Sequence, residues 1–271
     1  MEDCKKILND AEKFRMKGEL KKSLAEYCKI TQANPNDVNA LFEAGSICYT
    51  LGNVQDSIKY LEKVVELEPK FSIALYRLGI SYFRATKFSQ AVKALTQITE
   101  VAPDLYMAFY WMGLSYYHMG KVKHSLESYQ KLHEKTSGST LGYYQMAIAY
   151  NSLGKHGKAI ECLKSILKED PNIVSANFHL GLAYMGQDKV NKAYICFKKV
   201  KELDPKHRGA NRRINELEND QEMLNNYGVI SKKDTEDPEV LLSNYHIGQA
   251  HKGFNMIDKA FKHFKKEKEK K

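Results

Sequence analysis

The sequence is poor in what a membrane span, a disulfide scaffold or a metal site would need. No apolar run approaches the ~18 residues that cross a bilayer, and the opening Met1, Glu2, Asp3, Cys4, Lys5, Lys6 has no apolar stretch of signal-peptide type. A soluble, cytoplasmic protein is therefore the expectation. The five cysteines are an odd number without CxxC spacing, and Cys28, Cys48, Cys162 and Cys196 fall inside helical patterns, which suits reduced thiols used as small apolar side chains. Among nine histidines there is no HExxH and no pair four apart, so no metal site and no cofactor is expected.

Phosphate-loop chemistry is missing as well. Gly154-Lys155-His156-Gly157-Lys158 lacks the four residues between glycines, and the Ser or Thr after lysine, that such a loop requires. Nor does any Ser, His and Asp or Cys and His set carry a local catalytic signature, so the chain reads as no enzyme. The formal charge of +9 is spread thinly: 15 basic against 13 acidic residues over 1–103, 14 against 9 over 104–207 and 13 against 11 over 208–271. Only the stretch 258–271, with seven lysines against three acids, is concentrated, and it reads as a solvated helix tail. Nucleic acid and membrane are not expected as partners.

What is present is a period. Six units of 34 residues follow one another without a gap, at 4–37, 38–71, 72–105, 106–139, 140–173 and 174–207. Each holds two apolar patterns of helical period separated by a turn. Position eight is always small (Ala11, Gly45, Gly79, Gly113, Ala147, Gly181), and so is position twenty (Ser23, Ser57, Ala91, Ser125, Ala159, Ala193). Glycine within a helix costs about 1 kcal/mol relative to alanine, so close approach of the two helices of a unit must require it. Large residues surround that contact at positions eleven, twenty-four and twenty-seven, and no single pair can bury them, so the units must stack. Position fifteen carries Gly18, Gly52, Gly120 and Gly154, with Thr86 and Asp188 departing. Position thirty-two carries Pro35, Pro69, Pro103, Pro171 and Pro205, which end the second helix. Ser137 stands alone there without a proline, marking an expected soft joint with Gly138 and Ser139.

These residues together resemble the tetratricopeptide-repeat family over residues 4–207. The resemblance implies an all-α fold, a right-handed superhelical solenoid of stacked helix-turn-helix repeats whose first helices line a concave groove. It implies a non-catalytic scaffold or adaptor that binds another protein there. In this family the groove-facing side chains come from positions two, five, six, nine, twelve and thirteen. Carried onto this sequence, the partner-binding residues are Phe42, Ile73, Tyr76, Arg77, Met107, Tyr110, Trp111, Leu114, Tyr117, Leu141, Tyr144, Phe178 and His179. An inner wall this apolar suits an amphipathic helix or an apolar peptide, from another protein or from this chain's own terminal segment. The position-five aromatics have an alternative reading, as packing between units. Members that clamp a chaperone tail use Lys and Asn, then Asn, then Lys with Arg at positions that here hold Leu8, Glu12, Glu43, Ile73 and Arg77. Only Arg77 fits, so no chaperone C-terminal-tail clamp is expected.

After residue 207 the register fails. Ala210, Ile214, Leu217 and Leu224 form a narrow apolar stripe, read as a capping helix over 208–226, followed by a linker over 227–238. A seventh, imperfect helix pair with a lysine-rich tail is expected over 239–271; an uncovered end leaves homo-oligomerisation as one alternative function, and association with membrane or nucleic acid through the basic tail is the other, less expected one.

Overall fold

In a computed structural model that describes residues 2–136 and 139–226, the described residues form thirteen α-helices and no strand. The described residues divide into two compact units, one ending at Gly142 and the other beginning at Tyr143. The expected joint at Ser137 and Gly138, the linker over 227–238 and the helix pair over 239–271 lie outside the described residues, as does the side chain of Leu224.

The first unit contains α1 (Glu2–Met16), α2 (Leu20–Ala33), α3 (Val38–Thr50), α4 (Val54–Leu67), α5 (Ser72–Arg84), α6 (Phe88–Val101), α7 (Met107–His118) and α8 (Val122–Lys135). Each odd-numbered helix packs on the even-numbered one after it, and α2, α4 and α6 pack in turn on α3, α5 and α7. First helices also meet directly, α3 against α5 and α5 against α7. The helix α9 (Thr140–Ser152) begins in this unit and continues into the second, which holds α10 (His156–Glu169), α11 (Val174–Met185), α12 (Val190–Leu203) and α13 (Arg208–Asn226).

The turn inside each pair is built one way throughout. The residue after position fifteen donates its backbone N–H to the carbonyl five residues earlier: Asn53 to Cys48, Lys87 to Tyr82 and Lys189 to Tyr184, each at 2.9 Å. That bond closes a helix only when position fifteen is left-handed, as at Gly52 with φ +84°. Thr86 and Asp188 take the same conformation, both at φ +58°. The two sequence departures from glycine are thus departures in residue type alone.

The small positions sit where the helices cross. A β-carbon placed on Gly79 would lie 2.7 Å from the Leu95 side chain, and one on Gly181 would lie 2.5 Å from the Phe197 ring. Ala91, Ala159 and Ala193 are fully buried, as are Leu61, Leu95, Leu132 and Leu163. Ser23 satisfies its buried hydroxyl by donating to the Ala11 carbonyl at 2.8 Å. The buried hydroxyls of Ser57 and Ser81 meet at 3.1 Å.

In the second unit, α13 starts like a first helix. Asn211 donates from Nδ2 to the Pro205 carbonyl at 2.9 Å, as Asn177 does to Pro171 at 2.9 Å, and His207 Nδ1 accepts from the Ala210 N–H at 3.0 Å. Ala210 and Ile214 are fully buried, and Leu217 is half-buried. Glu218 ties α13 to α12 by accepting from Tyr194 Oη at 2.6 Å and pairing with Lys198 at 3.2 Å.

Cys28, Cys48, Cys162 and Cys196 are free thiols. Burial pushes the Cys162 thiol up, and those of Cys48 and Cys196 up to about 11, so these three stay protonated and unreactive near neutral pH. Cys28 is half-buried with its sulfur 3.4 Å from Tyr60 Oη. No helix among the described residues is long and apolar enough to cross a membrane.

Candidate partner-binding face

In the first unit the odd-numbered helices present neighbouring stripes, and the aromatic residues on them form a connected layer. Trp111 donates its indole N–H to Tyr76 Oη at 3.0 Å, bridging α7 and α5. Its ring meets Phe83 edge-on at 5.3 Å and Tyr110 at 5.3 Å. Phe83 in turn contacts Phe88 at 5.5 Å and His118 at 5.6 Å, and Phe88 and His118 stack at 5.1 Å with nearly parallel planes. Burial pushes the Tyr76 phenol up, the Trp111 hydrogen bond opposes that, and the Tyr49 phenol adds a smaller upward push. Tyr76 thus meets Trp111 of α7 directly and feels Tyr49 of α3.

Toward α3 the layer changes character. Phe42 packs on Phe71 at 5.0 Å, and the Arg77 guanidinium lies over the Phe42 ring at 5.4 Å. The Arg84 guanidinium lies over Tyr49 at 4.6 Å and donates from Nη1 to the Tyr49 carbonyl at 3.2 Å. Glu43 pairs with Arg15 at 3.8 Å. A shallow cavity of about 450 Å³ is lined by Glu68, Pro69, Lys70 and Phe71.

Of the residues assigned to this face from the sequence, Ile73 is 52% exposed and Leu141 37%. Phe42, Tyr76, Arg77, Met107, Tyr110, Trp111, Leu114 and Tyr117 are half-buried. Phe42, Tyr76, Phe83 and Trp111 also pack against the buried core around Leu75, Leu78 and Tyr82. The position-five aromatics in this unit thus serve packing between helix pairs and line the face with their remaining surface. Among the clamp positions, Leu8 is 41% exposed, Glu43 is engaged by Arg15, and Arg77 is stacked on Phe42.

In the second unit, Tyr144 meets the His179 ring edge-on at 5.5 Å, and Phe178 lies 5.7 Å from the same ring. Phe178 also packs on Phe197 at 5.8 Å and His207 at 4.8 Å, and a β-carbon on Gly209 would come within 2.9 Å of it. Phe178, on α11, is therefore wedged against α12 and the start of α13. Burial holds the His179 imidazole below its ordinary value, so it presents a neutral ring at neutral pH.

Sequence reasoning missed Phe71, Phe88 and His118. Phe71 precedes a first helix and Phe88 opens a second helix, so a reading that assigns the face to fixed first-helix positions passes over both. His118 occupies position thirteen of its unit but was hidden by its polar character, which its stacking on Phe88 offsets. No group of three or more His, Cys, Asp or Glu side chains able to hold a metal occurs among the described residues.

Comparisons with known proteins place this geometry. Residues 76–139 match one model of the tetratricopeptide repeat, and residues 38–71, 142–173 and 174–207 match another. A search of the curated proteins finds no match. Among solved structures, YrrB, a TPR protein with an unusual peptide-binding site, is similar at 18% identity and a TM-score of 0.59, over 69% of this chain and 96% of that one. The Cut9–Hcn1 hetero-tetramer of APC/C is similar at 12% identity and a TM-score of 0.56, over 77% and 41% of the respective chains. A MamA structure gives 21% identity and a TM-score of 0.55 over 62% and 92%. These likenesses show an all-α solenoid fold. With repeat models matched from residue 38 to residue 207 over more than half of its length, the chain belongs to the tetratricopeptide-repeat family.

Proposed function

We propose that the chain is a protein-interaction scaffold whose first-helix face in the first unit binds an amphipathic or apolar segment of another protein. Family membership supports an interaction scaffold, since these repeats are protein-interaction modules and typically not catalytic. The observation that carries the reading is Trp111. It is the chain's one tryptophan, it is only half-buried, and its orientation is fixed by the Tyr76 hydroxyl, Phe83 and Tyr110. A large ring held still with surface to spare is what an interface anchor needs, because little side-chain entropy remains to be lost on binding. Ile73, on the same helix as Tyr76, adds an exposed aliphatic side chain.

The test is selection of peptides from a random library on the full chain, followed by affinity measurement against Trp111→Ala. Peptides selected on the native chain should lose about tenfold or more in affinity for the variant, at unchanged helicity. Selected peptides that bind both forms equally would remove Trp111 from the site.

A further inference from the structure

On α5 the residues Ile73, Arg77, Ile80 and Arg84 follow at intervals of four, three and four, which places them on one stripe of the helix. On the neighbouring α3, Phe42 and Tyr49 are seven residues apart, as are Arg77 and Arg84. The two rings lie beneath the two guanidiniums, at 5.4 Å and 4.6 Å. Two parallel stripes in the same register thus produce a pair of stacked arginines two helical turns apart, about 10.5 Å along the axis.

A guanidinium lying over a ring meets it through its charge and does not spend its N–H donors on the contact. Arg84 commits one donor to the Tyr49 carbonyl. Neither arginine is within ion-pair distance of a carboxylate among the described residues, and the neighbouring Glu43 is taken by Arg15. Two cations are therefore held in place by rings, next to the exposed Ile73 and the half-buried Ile80, with no carboxylate partner and with the donors other than that one Arg84 N–H left over.

We infer that the partner segment bound on this face is acidic and amphipathic, with two side-chain carboxylates spaced to meet Arg77 and Arg84 and apolar residues seated on Ile80 between them and on Ile73 one turn before Arg77. This rests on the binding reading given above and specifies its ligand. In a helical segment the matching carboxylates stand seven residues apart, the same two turns that separate the arginines. The lysine-rich stretch 258–271 of this chain has the wrong sign to be the occupant, and its acidic stretch with Asp234, Glu236, Asp237 and Glu239 holds no pair of carboxylates seven apart, so the segment comes from another protein. The recognised groups are side chains and not a chain terminus, because Leu8, Glu12, Glu43 and Ile73 stand where a terminal carboxylate would need cations and amides.

The test is calorimetric titration of the full chain with a short amphipathic helical peptide, acetylated and amidated, carrying glutamates seven apart. Its comparators have glutamine at both positions, or glutamates five apart. The seven-apart glutamate peptide should bind tightest and weaken as salt is raised. Arg77→Gln should cost it about tenfold, and the more exposed Arg84→Gln about threefold. Both variants should leave the glutamine peptide's affinity unchanged. Phe42→Leu should lower affinity for the glutamate peptide while the charge remains, provided its circular dichroism and melting match the native chain. Equal binding of glutamate and glutamine peptides, both lost in Trp111→Ala, would leave the binding face standing and overturn the acidic partner. Binding of neither peptide would overturn both. Displacement of the acidic peptide by an oligothymidylate of equal charge would assign the arginine pair to phosphate and overturn the inference.

Discussion

Thr86 shows how a single residue can obey the architecture at its own expense. A β-branched side chain in the left-handed region is strained by roughly 1–2 kcal/mol, yet Thr86 sits at φ +58° because the 2.9 Å bond from Lys87 to Tyr82 demands it. Thr86→Gly removes that strain while loosening the unfolded chain, which offsets part of the gain. We expect a net stabilisation of about 0.5–1 kcal/mol, read as a higher denaturation midpoint with an unchanged slope. An unchanged or lower midpoint would show that the turn is held by something other than its backbone geometry. The backbone at Thr86 was not legible from its residue type, since threonine does not announce a left-handed turn. Its place in the period was the only signal, and it took the same bond at six turns to make the conformation plain.

At the scale of the helix, the crossing point decides what a glycine is for. Gly79 in α5 and Gly157 in α10 are both helical, and alanine is the better helix former by about 1 kcal/mol. A β-carbon on Gly79 would press to 2.7 Å on fully buried Leu95, whereas one on Gly157 would meet only the end of Gln187 at 3.5 Å. Gly79→Ala should therefore destabilise by about 1–2 kcal/mol, as overpacking outweighs propensity, and Gly157→Ala should be neutral or slightly stabilising. Thermal melts of the two variants check this, and a shared sign would break the argument. The crossing was legible because a small residue recurs at positions eight and twenty, and only close contact explains glycine mid-helix. The face was less so. Phe42 and Tyr76 are shared between core and surface, a division that depends on how neighbouring pairs meet. Phe71 and Phe88 enter from outside the first helices, where a one-helix pattern cannot see them.

For the molecule as a whole, each helix pair of the first unit draws its stability from its own crossing and from the pairs beside it, as α4 on α5 and α6 on α7 illustrate. Such a chain behaves nearly as a row of coupled elements rather than one block. The Gly79→Ala variant should lose amide protection chiefly in α5 and α6, then in α4 and α7, with α11 and α12 of the second unit close to their native protection. Hydrogen exchange by mass spectrometry reads this directly, and uniform loss across both units would mean that the chain opens as one. Composition and period indicated the stacking. They could not indicate that the division falls between Gly142 and Tyr143, because both residues belong to one helix whose apolar pattern runs on without a break.

The indole bonded to Tyr76 has a practical corollary. With one tryptophan in the chain, and that one on the face proposed to meet a partner, selective ultraviolet excitation of indole isolates emission from a single place. Its wavelength depends on how much water touches the ring, so a segment that covers the ring shifts the colour of that light, and the unlabelled protein serves as its own optical sensor of occupancy.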